Sequence, residues 1–143
     1  MAKSKKKIPA IIAPGGAIPT PALRPQKVRF SFEFLDFTND KFHHSRCADG
    51  YFEHFCERLK NVSSLVVTEF CRNHSYQRVL HSHAIDFGRT TERQGFLTVR
   101  PERWEGRAWQ FSITVNEHGR VHGFIDGDVF YVVWIDPDHL LCP

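Results

Sequence analysis

The sequence contains no long apolar run, no CxxC motif and no lysine after Lys60. No apolar stretch approaches the roughly 20 residues that a membrane-spanning helix needs, so we expect no membrane partner. The cysteines are Cys47, Cys56, Cys71 and Cys142. Because their spacing does not repeat, we expect reduced thiols in a cytoplasmic protein rather than a disulfide framework. The missing second ligand pair argues against a structural metal site, and we expect no metal and no cofactor.

The length of 143 residues and the hydrophobic content of 41% suit one domain with a tail. Residues 1–26 hold five of the eight prolines and the lysine run from Lys3 to Lys7. These prolines interrupt the apolar part of the segment, which argues against a signal peptide. We therefore predict a disordered, basic, proline-rich tail over residues 1–26, either a nucleic-acid-binding arm or a dispensable extension, and a single domain over residues 28–143.

The first half of the predicted domain shows two kinds of apolar periodicity. Residues 28–34 alternate apolar with polar side chains, which predicts a strand with one solvent-facing side. Between residues 52 and 62 the apolar side chains recur at three- and four-residue steps, which predicts a helix on the sheet, capped by Asp49. Ser63 or Ser64 would cap a second helix, although the β-branched residues that follow also permit a strand.

The last third of the chain predicts an antiparallel meander. Residues 109–115 and 120–125 read as two strands joined by a turn that ends at Gly119, and residues 129–135 form the third. The third strand is almost wholly apolar, so we expect it to be central in the sheet and covered on both faces. The fold class is therefore α+β, with an N-terminal strand and two helices packed on a C-terminal antiparallel β-meander.

The segment between residues 72 and 107 is the most basic part of the predicted domain. Residues 78–86 and 95–99 read as further strands, and the stretch between them is polar. Arginine binds phosphate through two parallel hydrogen bonds, so arginines here are candidates for contact with RNA. His81 and His83 lie two apart and would share one face of a strand. The RNA-binding candidates are His81, His83, Arg89, Arg93, Arg100 and Arg103.

The stretch WQFSITVNEHGRVHGFIDGDVFYVVWIDPDHLL, residues 109–141, resembles the C-terminal half of RelE/ParE/HigB-like toxins. An aromatic residue begins the first strand, Gly119 and Arg120 follow a turn, the last strand is apolar, and His139 comes just after it. The resemblance covers residues 107–141 best and residues 28–143 loosely, since an initial strand, two helices and a meander occur in the same order in that family.

The resemblance implies a cytoplasmic toxin that cleaves mRNA, often on the ribosome, and that a cognate antitoxin inhibits. Cleavage in that family proceeds without metal by attack of the 2′-hydroxyl on the adjacent phosphate, which requires proton transfer and charge stabilisation. Arg120 matches the arginine that binds the phosphate, His139 the proton-transferring residue, and Arg107 a basic residue before the first meander strand. The sequence departs from the family in two places. Gln110 and Ser112 stand where a basic side chain is expected, and Leu141 and Cys142 stand where many members have tyrosine.

The residues themselves add one candidate and leave alternatives open. His122 lies two residues after Arg120 on one strand, so both side chains point to the same face, and the catalytic candidates are Arg120, His139, His122 and Arg107. Arg120 is alternatively an exposed strand residue paired with Glu117, and His139 part of a surface turn. A non-catalytic module of the same fold that binds RNA, the ribosome or a protein is the alternative function.

Overall fold

The computed structural model describes residues 26–143, so the predicted tail lies outside the described residues except for its last position. The chain forms a mixed α+β fold of five strands and four α-helices in the described part. In chain order these are β1 Arg29–Ser31, α1 Tyr51–Ser63, α2 Val67–Arg72, α3 His74–Leu80, β2 His83–Ala84, α4 Pro101–Trp104, β3 Ala108–Ser112, β4 Arg120–Asp126 and β5 Val129–Asp136. No helix among these residues has the length and apolar character needed to cross a bilayer.

The five strands form one sheet in the order β1-β5-β4-β3-β2. β1 runs parallel to β5, and the other neighbours are antiparallel, so the predicted meander is present. β5 lies inside the sheet as expected, but the middle strand is β4 rather than β5. Val132 and Val133 of β5 are both fully buried, and they belong to the cores on opposite faces of the sheet, so β5 is covered on both sides as predicted.

Two hydrophobic clusters pack against the two faces of the sheet. The first lies under α1, α2 and α3; Phe55 of α1 belongs to it, and Phe70 of α2 contacts Phe111 and Phe130 of the sheet. The second lies on the opposite face and is rich in aromatic rings. Its main members are Phe42, Phe96, Trp104, Phe124, Trp134 and Leu141. The segments around residues 36–46 and 87–104 therefore cover the second face of the sheet. The sheet is enclosed on both faces.

A β-bulge in β5 decides which residues face the second cluster. His122 pairs with Trp134, but the next residue, Gly123, pairs with Val132, so Val133 is an extra residue in the ladder. Val133 and Trp134 consequently both belong to the second cluster, whereas strict alternation would separate them. After the bulge the phase of the strand is reversed, which turns the side chain of Asp136 towards that of His122.

The helical part differs from the prediction in number and position. Three α-helices, rather than two, precede the meander on the first face, and the fourth is the short α4. α1 begins after Gly50, whose φ of 81° is left-handed, and Asp49 does not cap it. Ser64 ends α1 instead of beginning the next helix, and α2 starts at Val67. The serine hydroxyls bond backward to carbonyls of α1, which is why they stop that helix.

Several predicted strands are shorter than expected or absent. β1 ends at Ser31, since Phe32 turns outward and is 46% exposed. Residues 78–86 were expected as a strand, but α3 occupies the first part, capped by the Asn73 side chain, and β2 has only two residues. Residues 95–99 form turns because Gly95, at φ 77°, packs against the Trp104 ring. β3 ends at Ser112 rather than at residue 115.

Gly119, in the turn between β3 and β4, lies very close to the backbone at the end of β5, and a substitution there tests this close approach. Its φ is 70°, and a Cβ would lie 1.8 Å from the Asp136 carbonyl oxygen. Gly106, at φ 72°, has nothing within 4 Å of its Cβ position and is a matched control. We expect Gly106→Ala to cost about 1–2 kcal/mol through the left-handed backbone alone, and Gly119→Ala about 1–3 kcal/mol more through the clash. Urea unfolding measures both, and equal losses would contradict the close approach.

Candidate functional site

A cavity of about 460 Å³ lies between the end of α3, β2 and the start of β4. A second cleft, of about 470 Å³, is lined by the turn before β4 and the turn after β5. Arg120 and His139 line both. The other residues around the first cavity are Gln77, Arg78, His81, Ser82, His83, Gln110 and Cys142. Four of the sequence-predicted site residues, Arg120, His139, His81 and His83, therefore meet in one place.

Two histidines hold a left-handed backbone at the rim of this cavity. His81 ends α3 with a φ of 47°, and His139 has a φ of 55° in the turn after β5. They are the only non-glycine residues with positive φ in the described part of the chain. Such conformations cost about 1–3 kcal/mol each and cluster at functional sites, because surrounding contacts must hold them in place. Both residues line the cavity, and neither ring makes a hydrogen bond inside the described chain.

His122 lies fully buried beneath the site and is bonded to Asp136. Its Nε2 is 2.9 Å from Asp136 Oδ2, and its Nδ1 has no partner. Burial lowers the pKa of His122, and Asp136 only partly opposes this. Burial would raise the pKa of Asp136, but hydrogen bonds from His122 and from the backbone N–H groups of Leu140 and Leu141 hold it below its usual range. At neutral pH the imidazole is therefore neutral and donates from Nε2 to an ionised carboxylate.

Arg120 and His139 are the two charged or titratable residues shared by both clefts. Arg120 is half-buried; its Nη1 donates to the Gly119 carbonyl oxygen at 3.4 Å, its buried Nε has no partner, and the predicted pairing with Glu117 is absent. Burial lowers the pKa of His139, the neighbouring Arg120 charge lowers it further, and Asp136 opposes both. The His139 imidazole is consequently neutral at neutral pH and can accept a proton. Arg120 supplies a fixed positive charge beside it.

His83 is held by two hydrogen bonds within the protein. Its Nδ1 lies 2.8 Å from the Ala84 carbonyl oxygen, which only accepts, so this nitrogen carries the proton. Its Nε2 lies 2.9 Å from Gln110 Nε2 and must then accept from that amide. Gln110 was a departure from the family pattern, yet its side chain reaches the cavity. Ser82 Oγ, also at the cavity, is buried without a partner.

The remaining candidates lie elsewhere. Arg107, predicted as a catalytic residue, forms an ion pair with Asp126 at 3.5 Å at the opposite end of β3 and β4 from Arg120, and it does not line this cavity. Of the predicted RNA-binding arginines, Arg103 stacks on the rings of Phe34 and Tyr131. Arg89, Arg93 and Arg100 are exposed on irregular segments and do not line the cavity.

The sequence did not single out several residues of the cavity. Arg78 and Ser82 fell within the strand predicted over residues 78–86, and Gln77 and Asp136 were not among the candidates. No group of three or more His, Cys, Asp or Glu side chains in residues 26–143 could hold a metal ion.

His122 is expected to make stability fall at mildly acidic pH. Because its folded-state pKa lies below the ordinary value of 6.5, the unfolded chain binds a proton where the folded chain does not. The free energy of unfolding should therefore decrease as the pH drops below about 6.5, by up to about 1.4 kcal/mol per pH unit. The contribution of Asp136 is lost only at lower pH, below its ordinary pKa of 3.8.

His122→Gln keeps an amide donor for Asp136 but has no titrating group, so its stability should decline less steeply over this range. Urea unfolding of both proteins at several pH values between about 7.5 and 5.5 measures the slopes. Parallel slopes for the wild type and His122→Gln would show that His122 is not the neutral, proton-excluding group described above.

The chain was also compared with known proteins. No family model matches it, and no significant match was found among curated proteins or solved structures. What this protein does must therefore be inferred from the geometry of the site itself.

Proposed function

We propose that this protein is a RelE-like toxin of a toxin–antitoxin system that acts as a metal-independent endoribonuclease on mRNA. The observation that carries the proposal is the meeting of Arg120, His139 and His81 around one cavity, with a cation and two unbonded imidazoles facing it. The order of the elements also supports it, since a first strand, helices and a terminal antiparallel meander follow each other along the chain.

The residues around the cavity match the needs of phosphodiester cleavage by an internal nucleophile. Neutral His139 removes the proton from the 2′-hydroxyl, and the resulting O2′–P bond forms as the P–O5′ bond breaks. His81 donates a proton to the departing 5′-oxygen, leaving a 2′,3′-cyclic phosphate. Arg120, which lines the cavity, stabilises the extra negative charge on the phosphoryl oxygens through its guanidinium charge.

Arg120 and Arg107 form a matched pair for a test of this function. Both are arginines near the ends of β3 and β4, but only Arg120 lines the cavity. We expect Arg120→Ala to reduce mRNA cleavage in a translating extract by about 10²- to 10³-fold, and Arg107→Ala to leave it nearly unchanged. Cleavage should persist in a reconstituted ribosome complex after exchange of Mg²⁺ for a polyamine. Equal activity of the two variants, or no cleavage by the wild type, would contradict the proposal.

The pH dependence of cleavage tests the role of His139. Its pKa is lowered by burial and by Arg120 and raised only by Asp136, so the base form should persist below the ordinary pKa of 6.5. The acidic limb of the rate, on which His139 becomes protonated and activity falls, should therefore lie below about pH 6.5. His139→Ala should be about 10²- to 10⁴-fold slower and lose this acidic limb. An unchanged limb in His139→Ala would assign it to another group.

A non-catalytic module that binds RNA, the ribosome or a protein is the second candidate. The observation in its favour is that two of the four histidines at the site are already committed: His122 is buried against Asp136 and His83 bonds Gln110 and Ala84. For such a module, Arg120→Ala would weaken RNA binding while RNA stays intact with the wild type in every context. A neighbouring gene whose product relieves growth inhibition would instead favour the toxin.

A further inference from the structure

We propose that the 460 Å³ cavity beside Arg120 binds the nucleobase next to the cleaved phosphate, and that Gln110 selects a base that carries an exocyclic amino group. The inference rests on the proposed function in taking the phosphate at Arg120 as part of RNA. Binding of a free nucleotide is nevertheless independent of cleavage, so the two can fail separately.

The orientation of the Gln110 amide follows from its neighbours. The Ala84 carbonyl forces the proton of His83 onto Nδ1, which leaves Nε2 as an acceptor. Only the amide nitrogen of Gln110 can donate to it, so Nε2 of Gln110 points to His83 at 2.9 Å. The Gln110 carbonyl oxygen is then turned away from His83 and accepts no hydrogen bond within the described chain. His83 thus acts as a positioning residue that orients this acceptor.

A second polar group at the cavity also lacks a partner. Ser82 lines the cavity and is 3% exposed, and its buried hydroxyl makes no hydrogen bond. A buried polar group without a partner costs about 1–3 kcal/mol, and a ligand that bonds it recovers this loss. Gln110 is itself only 4% exposed. Two buried hydrogen-bonding side chains therefore face a space of the size that holds small ligands.

The position of the cavity relative to Arg120 fits a base attached to a bound phosphate. Arg120 and His139 line both this cavity and the neighbouring cleft. An RNA strand whose phosphate lies at Arg120 would therefore have one neighbouring nucleotide on the side of the cavity and one on the side of the cleft. Arg78 at the cavity mouth adds a cation for the backbone of that strand. The neighbouring cleft carries Glu117 and Asp138 and is less suited to a polyanion.

The unpartnered carbonyl oxygen of Gln110 sets the expected preference. Adenine, cytosine and guanine each offer amino hydrogens on the edge used for base pairing, and these can donate to a carbonyl oxygen. Uracil offers a single N–H between two carbonyl oxygens. Those two oxygens would repel the Gln110 oxygen. One neutral hydrogen bond accounts for about a 3- to 10-fold difference in affinity.

The test uses the full chain and four nucleoside 3′-monophosphates that differ only in the base. Titrations followed by NMR should give dissociation constants for adenosine, cytidine and guanosine 3′-monophosphates about 3- to 10-fold below that of uridine 3′-monophosphate. Gln110→Ala should bind all four about equally. His83→Ala frees the amide to rotate and should lose the preference while keeping the fold, because His83 is exposed. Gln94→Ala, a glutamine outside the cavity, is the matched control and should keep it.

The outcomes separate this inference from the proposed function. Base-selective binding that Gln110→Ala and His83→Ala abolish, in a protein that never cuts RNA, would support the base site and reject the nuclease. RNA cleavage without any binding of 3′-monophosphates, or with the same base preference in wild type and both variants, would overturn the base site and leave the nuclease standing. Binding that favours uridine would overturn the assigned amide orientation.

Discussion

The site depends on the hydrogen bonds that the Asp136 carboxylate accepts. It accepts hydrogen bonds from the buried His122 imidazole of β4 and from the backbone N–H groups of Leu140 and Leu141 in the turn after β5. Removing one partner of such a buried pair costs about 3–5 kcal/mol, because the other charge or donor is left without compensation. The turn that carries His139 is thereby tied to the strand that carries Arg120, and the two side chains meet.

Of the four histidines around the site, two form hydrogen bonds inside the protein and two have rings without a hydrogen bond. His122 and His83 use their nitrogens inside the protein, one to hold the C-terminal turn and the other to orient Gln110. His139 and His81 hold strained left-handed backbones and leave their rings free. A site can maintain such strain only if its neighbours are rigid, and the buried hydrogen bond of His122 to Asp136, which also holds the turn after β5, provides that rigidity.

Local patterns accounted for part of this architecture and tertiary contacts for the rest. The meander, the first long helix and the shared face of Arg120 and His122 were predicted correctly, because each depends on the period of one segment. The additional helix α3 was missed, since Asn73 caps it with a side chain that reads equally well as part of a loop. The sequence could not show that Arg107 and Arg120 lie at opposite ends of β3 and β4, because sequence distance along β3 does not indicate which end of the sheet holds the cavity.

The sequence by itself determined the mixed α+β class, the antiparallel pairing of the last strands and the presence of arginine and histidine near their ends. These follow from the side-chain period and from turn residues, which act over a few positions. Only the tertiary structure decided which groups meet. The extra residue Val133 reverses the phase of β5 and turns Asp136 towards His122. A one-residue shift moves every later side chain to the opposite face, and the strand pairing that sets it joins residues distant in the sequence.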